Sequence, residues 1–151
     1  MNWLDSVKVL GQNKPWVRRF GMPFYMGYVS LANHGINHLP FFSLRHLFYR
    51  ILYRMKIGKR TFIGRDCVVL RPDLINLGED TRMHWGCFLD GRRGITIGEH
   101  VNISCYVKIF TLPHDLDDPE YKAIGGPVVI GNRVRLNTNA LAHSYPHAEI
   151  Q

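Results

Sequence analysis

A repeat with a period of six residues constrains the fold of this chain more than any other feature. From Ile57 onward an aliphatic residue, often followed by glycine or a polar residue, recurs at every sixth position, with short slips and one long interruption. An amphipathic helix would repeat its apolar positions about every 3.6 residues, and a half-buried strand would alternate. A period of six indicates short strands joined by tight turns. The repeated positions are Ile57, Ile63, Val69, Leu77, Met83, Leu89, Ile97, Ile103, Ile109, Ile130 and Leu136.

This pattern predicts a mainly β fold, a parallel β-helix of hexapeptide repeats over residues 57–151. Three hexapeptides form one triangular coil, with the aliphatic residues filling its interior and glycine suiting its tight corners. The long interruption between Ile109 and Ile130 predicts an inserted loop at about residues 111–128.

Residues 1–56 differ from the repeat, and we predict a separate basic, aromatic and partly helical segment there. Residues 1–60 contain ten Lys or Arg and a single acid, Asp5, whereas residues 61–151 contain nine Lys or Arg and eleven acids. Ser43 is a candidate helix N-cap. After it, an apolar stripe with helical spacing predicts an amphipathic helix. The stripe consists of Leu44, Leu47, Phe48, Ile51, Leu52 and Met55.

Two roles fit this helix, and both remain open at this point. Its apolar residues Leu44, Phe48, Ile51 and Met55 could plug the open end of the β-helix. Alternatively, the helix could lie on an anionic membrane surface, since Arg45, Arg50 and Arg54 lie off the apolar stripe.

Other features of the composition bear on location. Residues 20–44 lack charged side chains, but glycine, proline and asparagine divide them into apolar runs too short for a membrane span. Asp5 and Lys8 interrupt the apolar stretch that a secretory signal peptide would need. Cys67, Cys87 and Cys105 form no paired motif. We therefore expect a cytoplasmic protein with reduced thiols, able to contact the inner face of the membrane.

Three segments resemble the hexapeptide-repeat acyltransferases, which have a left-handed β-helix, and within them the branch that O-acetylates sugars. Residues 87–104 resemble the coil and bulge that precede the active loop of this branch. Residues 111–119, Thr-Leu-Pro-His-Asp-Leu-Asp-Asp-Pro, resemble the loop with the catalytic histidine, and residues 127–134 resemble the strand after it. The likeness covers roughly residues 39–142. Galactoside, maltose and colanic-acid or other exopolysaccharide acetyltransferases belong to this branch.

The resemblance implies an acetyltransferase that moves the acetyl group of acetyl-CoA to a sugar hydroxyl in surface polysaccharide biosynthesis. It also implies a homotrimer with active sites between adjacent β-helices. His114 would be the general base, because hydroxyl attack on a thioester needs a group that takes up a proton near neutral pH. Four carboxylates follow it, and Asp115 or Asp117 would orient its ring.

Further candidate residues follow from the same resemblance. Asp90 lies in a polar bulge one coil before the histidine loop, and either contacts the sugar acceptor or is a solvated corner residue. His84 and Trp85 lie where relatives carry an asparagine near the acceptor, although the asparagine position itself falls on Gly86. Arg135, Thr138 and Ala140 would contact the cofactor.

Metal and nucleic-acid functions are not expected. His84, Cys87, His143 and His147 follow no zinc-site spacing. The basic region is an amphipathic helix without a nucleic-acid motif. Beyond about residue 143 the chain leaves the family pattern, where relatives add about two coils, so a C-terminal truncation is expected. The alternative function is therefore a non-catalytic β-helix remnant that self-associates or sits at a membrane.

Overall fold

The computed structural model describes residues 22–144 and 149–150. Two α-helices, α1 (Met22–Ser30) and α2 (Phe42–Ile51), are separated by a π-helical turn, Leu31–Gly35, and a 3₁₀ turn, Ile36–His38. The strands that follow are β1 (Lys56–Ile57), β2 (Phe62–Ile63), β3 (Val68–Leu70), β4 (Ile75–Leu77), β5 (Arg82–Met83), β6 (Phe88–Asp90), β7 (Ile95–Ile97), β8 (Asn102–Ile103), β9 (Lys108–Phe110), β10 (Val128–Ile130), β11 (Arg135–Leu136), β12 (Leu141–His143) and β13 (Glu149–Ile150).

These strands form three parallel sheets, which are the three sides of the β-helix. Side A has the order β1-β4-β7-β10-β13, side B has β2-β5-β8-β11, and side C has β3-β6-β9-β12. On side A, Lys56 pairs with Asn76, Asn76 with Thr96, and Thr96 with Val129. The first two coils are longer than three hexapeptides because a 3₁₀ turn, Pro72–Leu74 or Gly91–Arg93, widens the corner between sides C and A.

The predicted register of the repeat is confirmed by burial. Of its aliphatic positions, Ile63, Met83 and Ile103 are at most 1% exposed, and even Leu136 in the last complete coil is only 8% exposed. Ile57 at the first coil is partly buried against the same core. The predicted aliphatic column on each side therefore faces the interior, and on side A a second buried column, Ile75, Ile95 and Val128, lies beside it.

At the corner between sides A and B, the stacking of the coils requires glycine, whereas the dihedral angles of these glycines do not. A Cβ on Gly58 would lie 2.5 Å from the carbonyl carbon of Gly78 in the next coil. The left-handed conformation falls instead on later corner residues, such as Arg60 and His100 with φ of 55° and 56°. Such angles disfavour bulky side chains, so the stacked backbone dictates the conformation there.

Helix α2 differs from its prediction in two respects. Phe41, and not Ser43, is the N-cap residue, and it makes no side-chain capping hydrogen bond. The helix also presents the opposite side to the β-helix. Arg45, His46 and Tyr49 are buried, whereas Leu44, Leu47 and Ile51 are 39%, 50% and 71% exposed. The predicted apolar plug formed by Leu44, Phe48, Ile51 and Met55 is therefore wrong, except that Met55 is buried and Phe48 packs partly against the core.

The reason is the unpaired backbone of the first coil. On side B, the N–H of Ile63 donates to His46 Nε2 at 3.2 Å, and Arg45 Nη2 donates to the carbonyl of Ile63 at 2.9 Å. On side C, the Asn33 amide donates to the carbonyl of Val69 at 3.1 Å and accepts its N–H at 2.9 Å. Buried backbone groups need such partners, so polar side chains have to face the coil.

The remaining parts of the first coil are covered in the same way. The N–H of Cys67 donates to Asn37 Oδ1 at 3.1 Å, and Arg50 Nη2 donates to the carbonyl of Ile57 at 2.8 Å. Tyr49 of α2 and Tyr53 just after it are fully buried and belong to the hydrophobic core. The helical segment thus closes the N-terminal end of the β-helix with hydrogen bonds on all three sides. Among the described residues, no helix is long and apolar enough to cross a membrane.

Candidate active site

The interruption of the repeat is a hairpin of residues 111–127 inserted between β9 and β10. His114 and Ala123 form an antiparallel bridge. The N–H of Asp115 donates to the carbonyl of Lys122, and the N–H of Ile124 donates to that of Pro113, both at 2.9 Å. Backbone pairing on both sides of His114 therefore holds this residue in a defined position.

The base of the hairpin is anchored to the β-helix. The Thr111 hydroxyl donates to the carbonyl of Asp90 at 2.6 Å and accepts the N–H of Arg93 at 3.0 Å. On the returning strand, the N–H of Gly126 donates to the hydroxyl of buried Ser144 at 3.1 Å. At Gly125 (φ 121°) a Cβ would lie 2.6 Å from the carbonyl oxygen of Thr111, so both the angle and the space require glycine.

The His114 ring is exposed, and one of its two nitrogens makes a hydrogen bond within the hairpin. Its Nδ1 lies 2.6 Å from the carbonyl oxygen of Tyr121. A carbonyl oxygen only accepts, so this contact assigns the proton to Nδ1 and leaves a lone pair on Nε2. A neutral histidine in this tautomer can take up a proton at Nε2.

The carbonyl of Tyr121 occupies the place predicted for a carboxylate. The side chain of Asp115 instead accepts the N–H of Asp117 through Oδ1 at 3.1 Å. Asp118 accepts the N–H of Glu120 at 2.8 Å. In this arrangement Asp115 and Asp118 shape the hairpin turn, and the backbone of Tyr121, which the sequence did not single out, orients the histidine.

Asp90 is fully buried and paired with Arg92. Its Oδ1 lies 2.8 Å from Nε and its Oδ2 lies 2.7 Å from Nη2 of Arg92. This pairing raises the pKa of the Arg92 guanidinium, which is therefore cationic. The side chain of Arg92 is 38% exposed. The groups available to a ligand at this corner are thus the guanidinium groups of Arg92 and of exposed Arg93, rather than the Asp90 carboxylate singled out from the sequence.

His84 and Trp85 lie at a different corner, between sides B and C. Trp85 is 52% exposed, and the two rings meet edge to face at 6.0 Å. His84 also lines a cavity of about 480 Å³ that reaches Phe42 of helix α2. At Gly86 a Cβ would lie 2.5 Å from the Tyr106 ring, so an asparagine does not fit here without moving that ring.

The predicted cofactor residues lie on the last complete coil. Arg135 is exposed on side B, in register with Asn102, which in turn pairs with Arg82. Thr138 is exposed and Ala140 is half-buried. The same face thus carries a second exposed guanidinium, Arg82, which the sequence analysis did not single out.

The candidate residues therefore divide between two edges of side C. Asp90, Arg92 and the base of the hairpin lie at the corner between sides C and A. His84 and Trp85 lie at the corner between sides B and C, as do Thr138 and Ala140 two coils further along.

The histidines and cysteines do not converge on a metal centre in the part of the chain that the structure describes. Cys67 and Cys87 are buried free thiols, and Cys105 is a partly exposed one. The His143 ring stacks on Phe110 at 5.4 Å. His147 lies outside the described residues.

Comparison with known proteins identifies the architecture. No protein-family model matches the sequence, and no curated protein matches it. Among solved structures, a hexapeptide-repeat-containing acetyltransferase from Vibrio cholerae superposes with a TM-score of 0.69 at 22% identity, covering 80% of this chain and 71% of that one. A structure of the acetyltransferase from Vibrio cholerae O1 biovar eltor in complex with acetyl coenzyme A gives 0.65 at 20% identity, with 86% and 83% covered.

A maltose O-acetyltransferase from Clostridium difficile 630 gives a TM-score of 0.57 at 19% identity, covering 80% of this chain and 68% of that one. At these identities the likeness establishes the fold. The chain has the left-handed β-helix architecture of hexapeptide-repeat acetyltransferases, and the predicted fold class is confirmed.

Proposed function

We propose that this protein is an acetyl-CoA-dependent O-acetyltransferase that acetylates a sugar hydroxyl, in the biosynthesis of a surface polysaccharide. The observation that carries the proposal is His114, which an inserted hairpin presents from a rigid β-helix with Nδ1 bound to the carbonyl of Tyr121 at 2.6 Å. The fold is shared with an acetyltransferase that binds acetyl coenzyme A and with a maltose O-acetyltransferase.

In the proposed reaction acetyl-CoA supplies the acetyl group as a thioester. His114 Nε2 accepts the proton of the sugar hydroxyl while the hydroxyl oxygen forms a bond to the thioester carbonyl carbon. The carbon–sulfur bond breaks, and the imidazolium returns the proton to the leaving thiolate. The histidine is therefore neutral before and after each turnover.

The contact with Tyr121 supports this role in two ways. It keeps the ring from rotating, so Nε2 stays aimed at one point. It also strengthens as the ring becomes an imidazolium, because a charged donor makes a stronger hydrogen bond to a carbonyl.

Two guanidinium groups are suited to the negative charges of the cofactor. Arg82 and Arg135 project from side B on either side of Asn102, two strand spacings or roughly 10 Å apart. The phosphates of acetyl-CoA match such donors. Thr138 and Ala140 would complete the contacts at the adjacent corner, and Arg92, held by Asp90, would donate hydrogen bonds to the sugar.

The proposal includes a homotrimer, and the division of these residues between two edges of side C supports it. His114 is exposed in a single chain, and the proposed cofactor residues lie across side C from the hairpin. Packing side C of one β-helix near the neighbouring copy would bring the hairpin of one subunit to the other edge of the next. The free thiols Cys67, Cys87 and Cys105 are consistent with action in the reducing cytoplasm.

The test is the release of coenzyme A thiol from acetyl-CoA with maltose and other sugars as acceptors. His114→Ala should lower turnover by about 10² to 10⁴-fold, the usual contribution of a general base. The affinity for acetyl-CoA should change little, because a proton acceptor acts mainly in the transition state. His143→Ala is the control, since that ring stacks on Phe110 and should leave most of the activity. Normal turnover in His114→Ala would refute the assignment.

The alternative, a β-helix without catalytic activity, makes a different prediction. Calorimetric titration with acetyl-CoA should then give no binding heat even at millimolar ligand. Binding without transfer to any sugar would instead point to a different acceptor.

A further inference from the structure

Helix α2 turns its most apolar side away from the protein. Leu44, Leu47 and Ile51 share one face of the helix by their spacing and are 39%, 50% and 71% exposed. The opposite face contains Arg45, His46 and Tyr49, which bind and cover the first coil. This reversal leaves a continuous aliphatic stripe that no described part of the chain covers.

The neighbouring helix also carries exposed apolar side chains. The Tyr28 hydroxyl of α1 donates to the carbonyl of Leu52, and the Tyr53 hydroxyl donates to the carbonyl of Tyr28, so the end of α2 lies beside α1. On α1 and just beyond it, Phe24 and Leu31 are 75% and 52% exposed and line an apolar groove of about 380 Å³. Exposed apolar side chains at this density are unusual on a protein that has only water around it.

The segment that forms the cap is strongly basic in sequence, and Glu79 and Asp80 of the next coil lie beside it, where both pair with Arg60. From residue 6 to residue 65 the chain contains no Asp or Glu. Arg54, Lys56 and Lys59 follow α2 and are exposed, and none of them forms an ion pair with a described carboxylate. Arg50, beside the stripe, is also exposed, although it donates to the backbone of the first coil. Arg50 and Lys59 line one cavity together with Leu47, so cations lie beside the aliphatic face. Such a face is complementary to anionic lipid headgroups above an apolar layer.

We propose that the N-terminal cap is a membrane-docking surface, in which Leu44, Leu47 and Ile51 enter the interface of an anionic phospholipid bilayer while Arg54, Lys56 and Lys59 contact its headgroups. Because α2 has only ten residues, it lies in the plane of the membrane. The N-terminal end of the β-helix would then face the membrane, and its C-terminal end would point away from it. This inference does not depend on the acetyltransferase activity.

The experiment measures co-sedimentation of the full chain with vesicles of phosphatidylcholine alone and of phosphatidylcholine mixed with phosphatidylglycerol. We expect binding at least about tenfold tighter to the anionic vesicles, and weaker binding as salt is raised, since each surface cation adds to the attraction. Leu47→Asp with Ile51→Asp should abolish binding. Arg54→Glu with Lys56→Glu should reduce binding to the anionic vesicles and not otherwise alter the protein.

Leu116→Asp is the matched control, because Leu116 is 81% exposed but lies on the hairpin. It should bind vesicles as the unmodified protein does. Equal binding to neutral and anionic vesicles, or no binding to either, would overturn the proposal. So would a change in the mass of the oligomer in Leu47→Asp with Ile51→Asp, because the stripe would then be a contact between copies. A large fall in the melting temperature of that variant would also overturn it, by showing that another part of the chain already covers the face.

Discussion

The N-terminal and C-terminal ends of the β-helix differ in how their outer backbone edges are hydrogen-bonded. A coil pairs its backbone with the coils on either side, so the first and last coils each have an edge without a strand partner. At the N-terminal end, Asn33, Asn37, Arg45, His46 and Arg50 bind the backbone of the first coil on all three sides. At the other end, β11, β12 and β13 are the outermost strands, and no described element pairs with their outer edges.

The difference shows where stability depends on single side chains. Inside the repeat, each backbone hydrogen bond is made by a neighbouring coil of nearly the same shape, so one substitution removes little of the pairing. In the cap, one side chain replaces a whole strand segment. Substitutions of polar residues in the cap should therefore cost more than similar substitutions on the last coil.

The largest effect is expected at Asn33, which is 8% exposed and binds both the N–H and the carbonyl of Val69. Asn33→Ala leaves two buried backbone groups without partners, which should lower the free energy of unfolding by about 2 to 4 kcal/mol. Asn137→Ala, on the exposed corner of the last coil, should change it by less than about 0.5 kcal/mol. Urea denaturation of both variants makes the comparison. Similar losses in the two would mean that the ends do not differ.

An effect of pH should follow from His46. Burial, and then the nearby Arg50 and Arg45, lower the pKa of His46 from 6.5 to about 4. Its Nε2 accepts the N–H of Ile63, which requires the neutral ring. The unfolded chain takes up this proton below pH 6.5 while the folded chain does not, so stability falls as the pH drops from about 6.5 to 4, by up to about 3 kcal/mol.

Denaturation at a series of pH values checks this, with His46→Gln as the control. The glutamine amide oxygen can accept the same N–H but does not titrate, so this part of the pH dependence should disappear. A variant with an unchanged pH profile would contradict the role of His46.

The smallest effect is expected on the outer face of α2. Ile51→Asp should change the free energy of unfolding by less than about 0.5 kcal/mol, because the side chain is 71% exposed. If the apolar stripe plugged the β-helix, the same substitution would bury a charge and cost several kcal/mol. The melting temperature distinguishes the two outcomes and reports which side of the helix faces the core.

The candidate site was predictable in part, because an insertion is visible in a periodic sequence. The interruption between Ile109 and Ile130 located the hairpin, and His114 is the histidine within it. The hydrogen-bond partner of His114 was not predictable, because every residue has a backbone carbonyl and the sequence does not show that the one of Tyr121 lies beside the ring. Nor was the role of Asp90 at its corner, because only the fold shows that its carboxylate is already bound by Arg92.

What the sequence by itself determined is the part of the molecule that repeats. A period of six places Ile63, Met83 and Ile103 in one interior column, because each coil meets the same surroundings as the one before it. What only the tertiary structure decided is the part that occurs once, where the cap meets the first coil. An apolar stripe predicts a buried face when burial of carbon is the main demand. Here the first coil has N–H and C=O groups without strand partners, and leaving them unpaired would cost more than exposing aliphatic side chains. Helix α2 therefore directs His46 and Arg45 toward the coil, while Leu47 and Ile51 are exposed.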